Sequence, residues 1–206
     1  MNHLLNLTTL HNRYFAMRHG QSLANVAGII ISHPQNGTHP NYALSELGRS
    51  QALASARASS LGSDTLIYSS DFSRAFETAD IVREAVGAQE IHVARALRER
   101  NFGEYEKTDH TNYARVWEHD ATDASHQRKG VESVDDVMDR ATALILYLEE
   151  QYAGRTILLV SHGDTLQILQ TAFQKASGTQ HRSLRHLETA EIRELTLESR
   201  EKRKTS

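Results

Sequence analysis

Three short stretches hold the side chains best able to do chemistry: Arg18-His19-Gly20, Ser69-Ser70-Asp71 with Arg74 close behind, and Ser161-His162-Gly163. They supply two imidazoles and two guanidiniums. Arginine offers a planar fork that matches the oxygens of a phosphoryl group. Phosphoryl transfer depends mostly on positioning and on neutralising charge on those oxygens. A neutral imidazole at His19 can attack phosphorus through one nitrogen, provided the other donates to a fixed acceptor that sets the tautomer. Gly20 suits this, because a residue without a side chain lets backbone crowd the ring. His162, when protonated, adds a further donor. The resulting phosphohistidine is open to attack by water or by a second substrate.

Such a set needs a scaffold that brings distant stretches to one edge. Tyr14–Met17, Leu66–Tyr68 and Ile157–Val160 are short apolar runs that predict strands, the last with the pattern of a strand buried on both faces. Ile91–Val93 and Ile192–Leu197 are weaker candidates. Helical patterns lie between them. Ser45–Leu61 starts on a capping serine, Asp71–Val86 ends at Gly87, Ser133–Tyr152 ends near Gly154, and Gly163–Phe173 follows directly on a strand. Alternating strands and helices predict an α/β sandwich with a mainly parallel sheet, whose ligands bind beyond the C-terminal strand ends. Each chemical stretch above follows one of the three strong strands. The helix after His162 also aims free N–H groups at that rim. The only two prolines, Pro34 and Pro40, fall in a segment that reads as an exposed loop.

Composition excludes several classes. The 206 residues suit one domain, 1–206, with residues from about 199 onward as a frayed tail. A net charge of -3 without a basic stripe argues against nucleic acid as a partner. The chain has no cysteine, which removes disulfide scaffolds and thiolate nucleophiles together. No run approaches the ~20 apolar residues of a membrane span, and Met1–Leu10 lacks the features of a secretory signal, so the cytoplasm is the expected location and no membrane partner is expected.

The same stretches carry a family resemblance. Arg18-His19-Gly20-Gln21-Ser22 with Asn25 resembles the R-H-G-x-[ST]-x-x-N signature of the histidine phosphatase superfamily, which includes the cofactor-dependent phosphoglycerate mutases. Leu44–Ala52, Tyr68–Ala75 with Thr78 and Ala79, Leu97–Gly103, Gly130–Ser133 with Arg140, and Val160–Gly163 resemble its further motifs in the family's order, over nearly the whole chain. The resemblance implies a three-layer phosphoglycerate mutase-like sandwich with helices on both faces. It implies that His19 is phosphorylated, that Arg18, Asn25, Arg74 and His162 hold the phosphate, and that Glu99 protonates the leaving oxygen and then activates water. No cofactor and no metal ion are implied, and the expected partner is a small phosphorylated substrate. Two departures stand out. The Val26–Ala43 stretch is longer than in compact members and is placed at the pocket rim. Where the family often has W-E-G, this chain reads Tyr105-Glu106-Lys107. Ser32, Tyr105 and Gly163 are the candidate substrate-pocket residues.

Hydrolysis of a phosphomonoester is the leading reading. The alternative is a phosphoglycerate mutase, disfavoured because Phe102–Gly130 is short and lacks the paired arginines that hold a substrate carboxylate. A non-catalytic phospho-ligand module is disfavoured by the retention of the whole polar set. A serine hydrolase built on Ser22 is weaker still, since Gly20–Ala24 falls one residue short of G-x-S-x-G. Isolated Glu99, between Arg98 and Arg100, would read as a surface ion pair. His110, His119 and His126 read as exposed, with Arg115, Arg128 and Lys129 as further groups for an acidic substrate. Tyr113 and Trp117 read as lid packing.

Overall fold

The computed structural model describes residues 1–198; the expected tail from residue 199 lies outside them. Five strands form one sheet in the order β3-β2-β4-β1-β5. They are β1 (Arg13–Arg18), β2 (Leu66–Ser69), β3 (Ile91–Val93), β4 (Thr156–Ser161) and β5 (Ile192–Leu195). β4 lies parallel between β1 and β2, β3 extends the parallel set, and β5 closes the other edge antiparallel to β1. The strand predictions therefore hold, with β5 two residues shorter than its apolar run.

Strand alternation divides the interior into two layers. Tyr14, Ala16, Ile157 and Leu159 face one side, where they meet α6 (Val134–Gln151) and α7 (Gly163–Phe173). Phe15, Met17, Leu158 and Val160 face the other and meet α3 (Glu46–Ala58) and α4 (Ser73–Val86). Each β4 residue from Ile157 to Val160 is fully buried, and burying a Leu or Ile side chain contributes about 1.5–3 kcal/mol. The result is the three-layer arrangement expected.

Helix ends follow local chemistry. The Ser45 and Ser133 side chains cap α3 and α6 by accepting Gly48 N–H and Asp136 N–H, and α4 ends on Gly87 at φ +74°.

The Val26–Ala43 stretch includes the proline segment predicted as an exposed loop, and that segment is instead built of short helical elements. It contains the end of α1 (Leu23–Ala27), the short helix α2 (Pro34–Gly37) and a 3-10 turn at Pro40–Tyr42. Ile30, Ile31 and Ser32 are buried. One carboxylate pins it: Glu106 accepts from Ser32 N, Ser32 Oγ and His33 N on one oxygen and from Asn36 Nδ2 on the other. Lys107, at the place where the family often has glycine, adopts φ +61° and donates its N–H to the Ile30 carbonyl. Helix α5 (Tyr113–Asp120) and a small apolar cluster of Ile30, Phe102, Val116 and Val131 complete this cover.

Candidate active site

The rim at the C-terminal ends of β1, β2 and β4 opens into a cavity of about 390 Å³, lined by Arg18, His19, Arg74 and Glu99 among others. β1 delivers Arg18 and His19, and the His19 N–H donates to the Ser161 carbonyl of β4. The loop after His19 is clamped from α3 and α4. Gly20 N–H donates to Thr78 Oγ1, and Gln21 N–H donates to Gln51 Oε1. Gly20 is required by close approach: a Cβ there would stand 2.3 Å from the Gly48 carbonyl oxygen. The crowding comes from α3 rather than from the imidazole ring itself.

Hydrogen bonds define the His19 tautomer. Nδ1 lies 2.7 Å from the Gly20 carbonyl oxygen, which only accepts, so Nδ1 carries the proton. Nε2 accepts from Arg74 Nε–H at 3.1 Å, so its lone pair points towards the guanidinium. Burial and then the charges of Arg74 and Arg18 push the ring well below the ordinary histidine range, outweighing the Gly20 bond that pulls the other way. His19 is a base held neutral, with its Nε2 lone pair directed at the Arg74 guanidinium.

Around it are buried donors with nothing to donate to. Arg18 Nε, Arg74 Nη1 and His162 Nδ1 have no partner among the described residues. The rest of each group is held. Arg18 Nη1 donates to Leu187 O, Arg74 Nη2 donates to Ile31 O, and His162 Nε2 lies 2.9 Å from Ser70 Oγ. The Ser70 hydroxyl oxygen already accepts Phe72 N–H, leaving its own proton for His162 Nε2. With that proton given to Nε2, the ring proton of neutral His162 sits on Nδ1. Burial first, then Arg74, keep that ring uncharged. Unpaired buried donors are rare and costly; here Arg18 and Arg74 line the cavity with His19, and the His162 ring packs edge-on against His19 at 5.2 Å.

Glu99 is 8% exposed and pairs with neither neighbouring arginine. Arg98 binds Asp71, and Arg100 binds Asp120 and Asp164. Glu99 Oε1 accepts backbone N–H from Arg100 at 3.0 Å and Thr165 at 3.2 Å, while Oε2 bonds no other described residue. Burial, then the charge of Asp164, push the carboxyl up, against Arg74 and the two N–H bonds. A buried acid with a raised pKa and one oxygen free is suited to pass a proton to a leaving group.

The other expected residues divide. Gly163 lines the cavity beside Arg18. Asn25 is exposed and lines the cavity, with its Oδ1 engaged by Ser22 N–H in the capping box of α1, which leaves its amide nitrogen for a ligand. Ser22 spends its hydroxyl on that same box. Ser32 lies off this cavity, its hydroxyl donated to Glu106 and accepting Phe102 N–H. Tyr105 packs on the Ile30–Phe102 cluster beneath the Lys129 ammonium, also away from the cavity. His110 is exposed and lines the cavity mouth, and His119 is exposed, but His126 is buried against Asp120. Sequence reasoning placed Tyr113 and Trp117 in packing alone, whereas both form the cavity wall, and Arg182, His186 and Asp164 join them unforeseen. The only sequence signal for Asp164 is its place two residues after His162.

Comparison with known proteins agrees with this geometry. A model of the histidine phosphatase superfamily (branch 1) matches residues 14–206. The chain is 35% identical to glucosyl-3-phosphoglycerate phosphatase of Mycobacterium tuberculosis over 178 residues, covering 79% of this chain and 75% of that protein. It is 30% identical to phosphoglycerate mutase-like protein 4 of Arabidopsis thaliana, covering 74% of this chain and 67% of the relative. Among solved structures, a mycobacterial glucosyl-3-phosphoglycerate phosphatase in complex with VO3 superposes with a TM-score of 0.72 at 29% identity, over 88% of this chain and 90% of that one.

Proposed function

The chain belongs to the histidine phosphatase superfamily and is a phosphomonoester hydrolase, and from that premise we propose that His19 is the group phosphorylated and that Arg18, Arg74 and His162 hold the phosphoryl oxygens. The observation that carries this is the gathering around His19 of three buried nitrogens unpaired among the described residues: Arg18 Nε and Arg74 Nη1 on residues that line its cavity, and His162 Nδ1 on a ring packed edge-on at 5.2 Å from the His19 ring. Asn25 adds its amide at the open side.

The reaction follows from the tautomer. An incoming phosphate draws the Arg74 N–H groups to its oxygens and uncovers His19 Nε2. That lone pair forms the N–P bond while the bond from phosphorus to the substrate oxygen breaks. Glu99 Oε2 gives its proton to the departing oxygen. Nδ1–H on the Gly20 carbonyl steadies the cationic ring as it forms. Water then attacks phosphorus, its proton returns to Glu99, and the N–P electrons return to Nε2, releasing inorganic phosphate. The arginines and His162 supply the positive field throughout.

The test is phosphoenzyme chemistry on a chelator-treated sample. The expected product is an acid-labile, base-stable phosphoenzyme, absent in His19→Gln, with phosphate release down by about 10⁴-fold or more. Undiminished release in His19→Gln would place the chemistry elsewhere. Conversion of 3-phosphoglycerate to 2-phosphoglycerate without phosphate release would favour the mutase reading.

A further inference from the structure

One cation on the cavity wall is left unused by the mechanism. Arg182 lies on the 3-10 segment Gly178–Ser183, and its side chain is 32% exposed. Its guanidinium lies 3.7 Å from the centre of the Trp117 ring, a close cation–π stack. Trp117 is in turn fixed, because its Nε1–H donates to Asp164 at 3.0 Å and its ring stacks on Tyr113. Asp164 also draws Arg182, but at 3.6 Å, beyond hydrogen-bond length. No hydrogen bond joins this guanidinium to another described residue, so it is held from below and from one side with its donors unspent.

A solvated surface arginine would be free to move and would cover nothing. Arg182 instead lines the same cavity as Arg18, His19 and Arg74. The Arg18 guanidinium lies against Gly163, where a Cβ would stand 3.6 Å from its central carbon, and Arg182 lies beside the next residue, Asp164. Two guanidinium forks thus flank consecutive residues of the first turn of α7, within the span of one small molecule. Arg18 and Arg74 are committed to the phosphoryl group, and the surrounding wall of Ala24, Ile29 and Ile31 is apolar.

Resting on the phosphatase reading above, we infer that Arg182 is a specificity-determining residue that binds a second anionic group of the substrate, a carboxylate or a second phosphate a few bonds from the phosphoryl being cleaved. A fork held flat on an aromatic face loses little freedom on binding such a group. The contact lies outside the reacting atoms, so it acts mainly through substrate affinity.

The experiment compares matched substrates that differ only in that group. 3-Phosphoglycerate is paired with glycerol 3-phosphate, and propane-1,3-diol bisphosphate with the monophosphate. Wild-type enzyme is expected to prefer one charged member in kcat/KM by about 10- to 100-fold, the worth of a charge-assisted hydrogen bond, and the preferred pair identifies carboxylate or phosphate. In Arg182→Gln that preference collapses through KM, and Arg182→Lys restores part of it. Equal losses on both members of each pair, or no preference in wild type, would overturn the inference. p-Nitrophenyl phosphate run alongside separates the two readings: if it still phosphorylates His19, only the role of Arg182 has failed.

Discussion

The phosphate cradle and the charged cluster behind Asp164 are both buried, and they treat their donors in opposite ways. In the cradle, Arg18, Arg74 and His162 each keep a buried nitrogen unpaired. In the cluster, Arg100 and Asp120, both fully buried, meet fork to fork at 2.7 and 2.8 Å. Arg100 also reaches Asp164 at 3.1 Å and the Glu132 carbonyl, and His126 bonds Asp120 at 2.7 Å. The one unpaired atom there, His181 Nε2, lies 3.6 Å from an Asp120 oxygen. The cradle holds its positive charge against a ligand yet to arrive. The cluster has already closed on itself, and its task is to hold α5, α7 and the Glu99 segment together.

That contrast breaks most visibly at Arg100. Replacing it with Met leaves Asp120 and Asp164 buried without their main counter-charge. Breaking a buried pair by removing one partner costs about 3–5 kcal/mol, and a loss of that size is expected in denaturant unfolding of Arg100→Met. A loss under about 1 kcal/mol would mean that the cluster is not structural.

Arg74→Met is the mirror experiment. Arg74 is 4% exposed and has no carboxylate in hydrogen-bond contact, and burial lowers its pKa. Removing it forfeits bonds to His19 and Ile31, worth about 0.5–1.5 kcal/mol each, and relieves a desolvated charge that costs several kcal/mol. The expected variant loses about 10²–10³-fold in kcat, as for one electrostatic donor, while its unfolding midpoint rises. A midpoint that falls as far as that of Arg100→Met would put both arginines in one class and erase the comparison.

The two regions also differ in how well sequence reveals them. The cradle is legible because a parallel sheet gathers strand ends at one edge, so Arg18, His19 and His162 sit at predictable places. Arg74 and Thr78 follow from a helix that starts just beyond β2. The cluster has no such rule. Arg100, Asp120, His126, Asp164 and His181 come from segments with no common spacing, and only tertiary closure brings them together. Read locally, Arg98-Glu99-Arg100 is a surface charge run and His126 belongs to a polar stretch. In the structure, Arg100 and His126 are buried, and Glu99 is left without an arginine partner. Helix α5 escaped for a related reason: only Val116 and Asp120 are buried on it, too little apolar periodicity to mark a helix. Glu106 likewise turns an apparent loop into a pinned wall through bonds that span about seventy residues of sequence.

Asp164 joins the two regions and allows the smallest and most specific test. It lies in the first turn of α7, bound to Arg100 and Trp117 and flanked by His181 and Arg182. Its charge also acts on Glu99, where it is the second cause, after burial, of the raised pKa, opposed by Arg74 and by the N–H groups of Arg100 and Thr165. Glu99 must be protonated to act on the leaving oxygen, so the rate falls at high pH as that proton is lost. Removing the Asp164 charge lowers the Glu99 pKa and moves this upper limb to lower pH. Asp164→Asn keeps the shape of the side chain and an oxygen for the Trp117 N–H while giving up the Arg100 bond, so the contrast between two leaving groups is what reads the charge. The limb is expected to move acidward for an alkyl phosphate, whose oxygen needs the proton, and much less for p-nitrophenyl phosphate, whose leaving group departs without it. A profile that drops in height with its upper limb in place would show that Asp164 supports the fold without setting the Glu99 proton, leaving the cradle and the cluster electrostatically independent.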